Sequence, residues 1–262
     1  MGAEPSRLPW RLPLAAALLA AVVGISGVNQ ALFLAINHVA ALFSDDFLLA
    51  LTLLGNLLAG MALLGAALRS RAQMIWAAVL AAPFATLFVH GTKQLLATPR
   101  PAAVLSADVM TIVGPTLKAM SFPSGHTTTA FVYAAVVWAL AGDRRWRALV
   151  LAAAVCVGLS RILVGAHWPV DVLAGAAGGW FCGGLGVAWS RRLSWTTSEA
   201  GRRWATAVVA AACLGLLITP YTLPGEEITG WLLAAIGGVL VVRSVLAGID
   251  RSGRCPGQDD GQ

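Results

Sequence analysis

Apolar and polar residues alternate along this chain in long blocks, as in proteins that cross a membrane several times. A membrane-spanning helix needs about 20 mainly apolar residues. Eight apolar runs approach that length and predict spanning helices at 12–28, 47–68, 74–96, 127–141, 148–164, 170–189, 204–218 and 228–246. A further segment, 30–44, has apolar residues at helical spacing and predicts an amphipathic helix in the membrane interface.

The first apolar run has two interpretations. Its basic start and apolar centre are also typical of a cleaved signal peptide. The run continues without a clear small-residue cleavage site, however, and this favours a first helix that is retained.

Composition places the chain among integral membrane proteins. It is 58% hydrophobic and 11% charged, with a mean hydropathy of +0.77, whereas a soluble domain has about 25% charged residues. The predicted fold class is all-α, a polytopic membrane helical bundle. The net charge of +6 does not indicate nucleic-acid binding, because the basic residues form short clusters between the apolar runs and no continuous stripe.

The distribution of basic residues predicts the orientation of the chain. Basic residues concentrate in cytoplasmic loops. With a cytoplasmic N-terminus, all but four of the 18 Lys and Arg residues fall on the cytoplasmic side. The exceptions are Lys93, Arg100, Lys118 and Arg161. A basic residue on the opposite side needs a local reason, and binding an anion is one.

Three polar stretches, 93–101, 123–126 and 160–171, interrupt apolar surroundings. Ionisable residues at membrane depth are costly and mark functional sites. We therefore expect the three stretches to converge into one site at a membrane surface. The cysteines form no CxxC pair, and metal-ligand spacing is absent, so no metal site is predicted.

The cations and one helix start in these stretches suit a phosphoryl group. Lys93, Arg100 and Arg161 supply positive charge, and an arginine fork matches phosphate oxygens bidentately. Ser124 and Gly125 open a predicted helix, and the free N–H groups of a helix start favour an anion. Such donors stabilise the charge of a phosphoryl group in the transition state.

Two histidines and an aspartate complete the candidate site. Asp171 follows His167 by four residues, within reach of one imidazole nitrogen. The carboxylate would fix the tautomer and leave the other nitrogen of His167 free to attack phosphorus. His126 is the candidate general acid, which protonates the leaving oxygen and then activates water. Three cations can neutralise the phosphoryl charge, so no cofactor is predicted.

The three stretches together resemble the signature of the type 2 phosphatidate phosphatase superfamily, which also includes bacterial acid phosphatases and vanadium haloperoxidases. The matching residues are Lys93-x6-Arg100-Pro101, Pro123-Ser124-Gly125-His126 and Ser160-Arg161-x5-His167-x3-Asp171. The resemblance implies a phosphohistidine intermediate on His167, oriented by Asp171, and a leaving-group acid at His126. It also implies phosphate contacts from Lys93, Arg100, Ser124, Gly125 and Arg161.

The resemblance also implies a division of the chain. Membrane members of the superfamily share a core of six helices, which corresponds here to residues 1–192. Residues 193–247 would then be a two-helix membrane extension, and 248–262 a disordered cytoplasmic tail.

The function expected from this reading is hydrolysis of a lipid phosphate or diphosphate at the outer face of the cytoplasmic membrane. Undecaprenyl diphosphate is the favoured substrate, with phosphatidylglycerol phosphate and phosphatidate beside it. A lipid A phosphatase, a phosphotransferase and a non-catalytic lipid transporter are the alternatives. The expected partners are the lipid substrate and the bilayer, and the oligomeric state is open.

Overall fold

The computed structural model describes residues 8–221 and 224–252, and within them it contains helices, turns and loops but no strand. This agrees with the all-α prediction. The helices are α1 (Arg11–Ile25), α2 (Asn29–Asn37), α3 (Asp45–Leu53), α4 (Leu57–Leu64), α5 (Gln73–Leu96), α6 (Pro101–Val104), α7 (Gly125–Leu140), α8 (Arg144–Leu163), α9 (Pro169–Arg192), α10 (Glu199–Ile218) and α11 (Pro224–Ser252).

Every predicted apolar run contains a helix. Among the described residues, five helices are long and apolar enough to cross a membrane, and seven if each of two bent helix pairs is one span. Helix α7 accounts for the remaining run and has only 16 residues. The chain is therefore a multi-pass membrane protein.

The run 47–68 was predicted as one continuous helix, and this prediction is wrong. It forms α3 and α4, which meet at an angle of 68°. The side chain of Asn56 caps α4 by accepting a hydrogen bond from the backbone N–H of Leu58 at 2.8 Å, so a new helix begins there. A Cβ on Gly55 would lie 2.6 Å from Val157 and 3.0 Å from His126, so the bend also brings this backbone close to α7 and α8.

The amphipathic segment 30–44 forms α2 and a following 3-10 turn, at 107° to α1. Its anchor is the fully buried Asn37. The amide nitrogen of Asn37 donates to the carbonyls of Ile162 and Leu163, at 3.1 and 2.9 Å, and the amide oxygen accepts from Thr111 N–H at 2.7 Å. The segment is thereby attached to the end of α8.

Helices α7 and α9 pack along each other at the centre of the bundle, with α8 on one side and α1 and α5 on the other. Three glycines at four-residue spacing on α9, Gly175, Gly179 and Gly183, face α7 at distances that leave no room for a Cβ. They were predicted to serve helix packing, and the structure confirms it. Small residues let two membrane helices approach closely.

The two C-terminal helices, α10 and α11, pack on each other and on α3 and α4. Helix α11 continues to Ser252, which is beyond residue 248, the predicted start of the tail. The stretch 248–252 contains no proline that would end the helix. The rest of the predicted tail, 253–262 with Cys255, lies outside the described residues.

Candidate active site

Hydrogen bonds bring the three polar stretches to one end of the bundle. The backbone N–H of Ser124, at the start of α7, donates to the carbonyl of Asp171 at the start of α9, at 3.0 Å. The indole N–H of Trp168 donates to the carbonyl of Pro99 at 2.9 Å. The stretches 93–101, 123–126 and 160–171 therefore meet, as predicted.

His167 lies between the carboxylate of Asp171 and the guanidinium of Arg100. Its Nδ1 is 3.4 Å from Asp171 Oδ2, and its Nε2 is 3.3 Å from Arg100 Nη1. A neutral imidazole that donates from Nδ1 and accepts at Nε2 satisfies both contacts. Both His167 and Asp171 are buried, with 2% and 1% of their surfaces exposed. This arrangement directs the Nε2 lone pair into the cationic site.

The turn before His167 depends on Gly165. Its φ of +75° lies in the left-handed region, and a Cβ there would be 2.6 Å from the carbonyl oxygen of Thr111. Pro169 then begins α9, and the carboxylate of Asp171 accepts the backbone N–H of Trp168 at 2.9 Å. Asp171 therefore closes the helix start and orients His167 at the same time.

Ser121 is a site residue that the sequence analysis missed. It is fully buried, and its hydroxyl donates to Asp171 Oδ2, the same oxygen that faces His167. The two residues are 50 positions apart, so no local spacing connects them. The only signal was the position of Ser121 two residues before Pro123, at the start of the second stretch.

Arg100 is held mainly by backbone carbonyls of the loop after α5. Its Nε donates to Ala119 at 2.8 Å, its Nη1 to Ala166 at 2.9 Å and its Nη2 to Met120 at 3.3 Å. With the contact to His167, four of the five N–H donors of the guanidinium are directed at protein atoms. Arg100 is therefore fixed beside the imidazole before any phosphate is bound.

Arg161 and Lys93 have fewer protein partners. Arg161 ends α8 with 7% of its surface exposed, and its Nε has no hydrogen-bond partner within 8–221 and 224–252. Lys93, in the last turn of α5, donates to the carbonyl of Met120, a residue with a left-handed φ of 58°. A buried donor without a partner is costly, so an anion that reaches Arg161 would remove that cost.

Ser124, Gly125 and His126 form the start of α7. The Ser124 hydroxyl oxygen caps the helix by accepting from the backbone N–H of Thr127 at 3.4 Å and from the Thr127 hydroxyl at 2.8 Å. Its own proton can still be donated to a phosphate. His126, in the first turn, lies within electrostatic range of His167 and of all three site cations. All eight predicted site residues thus gather at one end of the bundle.

The charges around His167 favour its neutral form. Burial, followed by the positive charges of Arg161, Arg100 and Lys93, holds the pKa of His167 well below its usual value. An unprotonated imidazole is the form that can act as a nucleophile. Burial and these charges therefore favour the unprotonated form of His167.

The start of α11 carries a charge that acts on the site, which the sequence did not suggest. A Cβ on Gly225 would clash with Asp46, which shows that the start of α11 packs closely against the start of α3. The next residue, Glu226, interacts electrostatically with Arg161. An acidic side chain at the start of α11 therefore acts electrostatically on one of the site cations.

Comparisons with known proteins find relatives both in sequence and in structure. A family model described as the PAP2 superfamily matches residues 72–195. The lipid A 1-phosphatase of Rhizobium etli is 48% identical over 62 residues, which is 23% of this chain and 26% of that protein. This alignment therefore spans about a quarter of that curated relative.

Two crystal structures superpose on most of the bundle. Aquifex aeolicus LpxE gives a TM-score of 0.55 with 30% sequence identity, over 63% of this chain and 96% of that one. The transmembrane PAP2 type phosphatidylglycerolphosphate phosphatase of Bacillus subtilis gives a TM-score of 0.53 with 22% identity, over 71% of this chain and 98% of that one. The second likeness concerns the fold alone.

Proposed function

This chain belongs to the PAP2 superfamily, and from that premise we propose that it is a membrane phosphatase acting on a lipid phosphate. The observation that carries the proposal is the placement of His167 between Asp171 at Nδ1 and Arg100 at Nε2. A transport site needs an anion-binding group but no oriented nucleophile. We further propose that residues 1–192 form the catalytic core.

In the first step, the bound phosphoryl group takes over the Arg100 Nη1 hydrogen bond that Nε2 of His167 accepts in this structure. The freed Nε2 lone pair attacks phosphorus, and the bond from phosphorus to the lipid oxygen breaks. Once the negative phosphate offsets the charges of the three site cations, which disfavour a protonated His126, His126 can hold a proton, and it gives this proton to the leaving oxygen. Asp171 accepts the Nδ1 hydrogen bond and stabilises the positive charge that develops on the imidazole. Arg100 and Arg161 stabilise the phosphoryl oxygens, with Lys93 as a further cation.

In the second step, water attacks the phosphohistidine. His126, now neutral, removes a proton from the water as the new oxygen–phosphorus bond forms. The bond from phosphorus to His167 Nε2 breaks, and inorganic phosphate leaves. The imidazole returns to its neutral state, still hydrogen-bonded to Asp171. Passing the phosphoryl group to a lipid acceptor in place of water would be the phosphotransferase alternative.

Burial of the site at one end of a membrane bundle supports a lipid substrate, because the apolar chain can remain in the bilayer while the headgroup enters. The likeness to a lipid A 1-phosphatase makes lipid A 1-phosphate the first substrate to test. Undecaprenyl diphosphate, phosphatidylglycerol phosphate and phosphatidate remain candidates. We also propose that both termini are cytoplasmic and that the site faces the extracytoplasmic side of the cytoplasmic membrane, because the basic loops lie at the opposite end.

The test is phosphate release from the purified chain with a panel of these four lipids, in EDTA. We expect turnover of at least one lipid. In His167→Ala the rate of phosphate release should fall at least about a thousandfold, since the proposed nucleophile is removed. Phosphate release that needs a divalent metal, or that survives His167→Ala, would contradict the mechanism. Binding without hydrolysis would favour the transporter.

A further inference from the structure

Two adjoining cavities begin at the end of the bundle opposite the histidines, and one of them extends along the bundle to Leu54 and Val157, near the α3–α4 bend beside His126. One is an apolar groove of about 810 Å³ between α4, α7, α8 and α11. The other is a polar pocket of about 390 Å³ between the α4–α5 connection and the start of α10. Ser70 and Arg71 line both, so the groove and the pocket adjoin each other. The catalytic mechanism uses neither.

The groove is lined by residues that suit a hydrocarbon chain. Leu63, Leu149 and Ile236 line it, and 40%, 58% and 49% of their respective surfaces are not covered by other protein atoms. In a bilayer such a surface meets acyl chains and not water. Trp146 lies near the pocket end and is 57% exposed, and exposed tryptophan is typical of the membrane–water interface.

The polar pocket carries excess positive charge. Arg69, Arg71 and Arg202 line it, against a single acid, Glu199. Arg202 is paired with that acid, its Nε donating to Glu199 at 3.0 Å. Arg71 donates one Nη1 hydrogen bond to the carbonyl of Leu140 at 2.6 Å, which leaves further donors of its guanidinium. The pocket therefore presents Arg69 and part of Arg71 to an anion.

We propose that the groove and the pocket together bind an anionic glycerophospholipid from the leaflet opposite the catalytic site. Its acyl chain lies in the groove, and its phosphate lies in the pocket against Arg69 and Arg71. Basic pockets between membrane helices are suited to anionic head groups. The groove, at about 810 Å³, and the pocket, at about 390 Å³, each have a volume in the range of roughly 300–1,000 Å³ that is usual for ligand sites. The phosphate position in this proposed site, against Arg69 and Arg71, lies at the opposite end of the bundle from His167.

The test compares retention of phosphatidylglycerol and phosphatidylethanolamine by the purified, delipidated full chain, measured by native mass spectrometry. We expect the wild type to prefer phosphatidylglycerol. Arg69→Gln should weaken its binding about fivefold, as should Arg71→Gln, because each arginine near the membrane surface contributes a modest electrostatic gain. Ala153→Phe, which fills the groove, should weaken binding of both lipids.

Two control variants make the test specific. Arg192→Gln removes an exposed arginine at the same end of the bundle that lines neither cavity, and should leave the preference unchanged. His167→Ala should also leave it unchanged, because the catalytic site is at the other end. Equal retention of the two lipids by the wild type would overturn the proposal. A loss in Arg192→Gln as large as in Arg69→Gln would do the same.

Discussion

The hydroxyl of Ser121 offers a sharp test of how the nucleophile is oriented. Asp171 Oδ2 accepts the Ser121 hydroxyl and the Trp168 backbone N–H, and it also faces His167 Nδ1. Ser121→Ala removes one of these donors. Because Ser121 and Asp171 are both buried, with 0% and 1% of their surfaces exposed, water cannot readily replace the lost hydroxyl.

The size of the effect follows from the chemistry of that contact. A hydrogen bond to a charged group is worth about 1.5–3 kcal/mol, which corresponds to roughly 10- to 150-fold in rate if it is lost wholly in the transition state. Trp168 still holds the carboxylate, so we expect the lower end, about a tenfold fall in kcat. KM should change little, because Ser121 is a positioning residue that acts through Asp171.

The assay is steady-state phosphate release from a lipid monophosphate in mixed micelles, with kcat and KM determined separately. Ser190→Ala is the matched control, since Ser190 is equally buried and its hydroxyl donates to the Val187 carbonyl within α9, at 2.9 Å. Ser121→Thr keeps a hydroxyl and should recover much of the rate. The reasoning is refuted if Ser121→Ala retains the wild-type kcat, or if the defect appears in KM alone.

Three further predictions concern the charges of the site. The lowered pKa of His167 keeps this imidazole neutral as pH falls, so the acidic limb of kcat/KM that belongs to it should lie below pH 6.5. An acidic limb at or above pH 6.5 that does not shift with the ionisation of the substrate's own phosphate would contradict this. Glu226→Gln removes a negative charge that acts on Arg161, so inorganic phosphate should inhibit the variant at a several-fold lower concentration. Glu227→Gln is the control and should change this inhibition little. Equal effects of the two substitutions would exclude a specific role for Glu226. Arg161→Lys should mainly raise KM, whereas Arg100→Lys should mainly lower kcat, because Arg100 is fixed against His167. The reverse pattern would contradict the assignment of phosphate binding to Arg161 and of contact with His167 to Arg100.

Much of the fold could be predicted because membrane helices carry their signal locally. The apolar runs located every spanning helix, and the four-residue glycine spacing on α9 indicated its close approach to α7. The bend between α3 and α4 could not be predicted from periodicity. It depends on Asn56 starting a new helix and on Gly55 fitting between Val157 and His126, and those contacts exist only after distant segments pack.

The candidate site divides in the same way. His126, His167 and Asp171 were predicted because each belongs to a short motif with chemical meaning. Ser121 and Glu226 were not, because each acts on a residue far away in the sequence, Asp171 and Arg161 respectively. Sequence spacing identifies residues that share a helix turn. Residues that meet through tertiary packing can be identified only from the three-dimensional structure.

The loop between α5 and α7 has a physical role that its polar composition only hinted at. Helical carbonyls are already hydrogen-bonded along their own helix, so a buried arginine needs acceptors from irregular backbone. Ala119 and Met120, in the segment 102–122 that leads to α7, supply such carbonyls to Arg100, and Met120 also accepts from Lys93. Non-helical backbone at membrane depth is tolerated where it is buried in protein or lines a polar cavity. The irregular loop therefore lets two cations be held beside His167 without a protein carboxylate on each, so that their charge remains available to a phosphate.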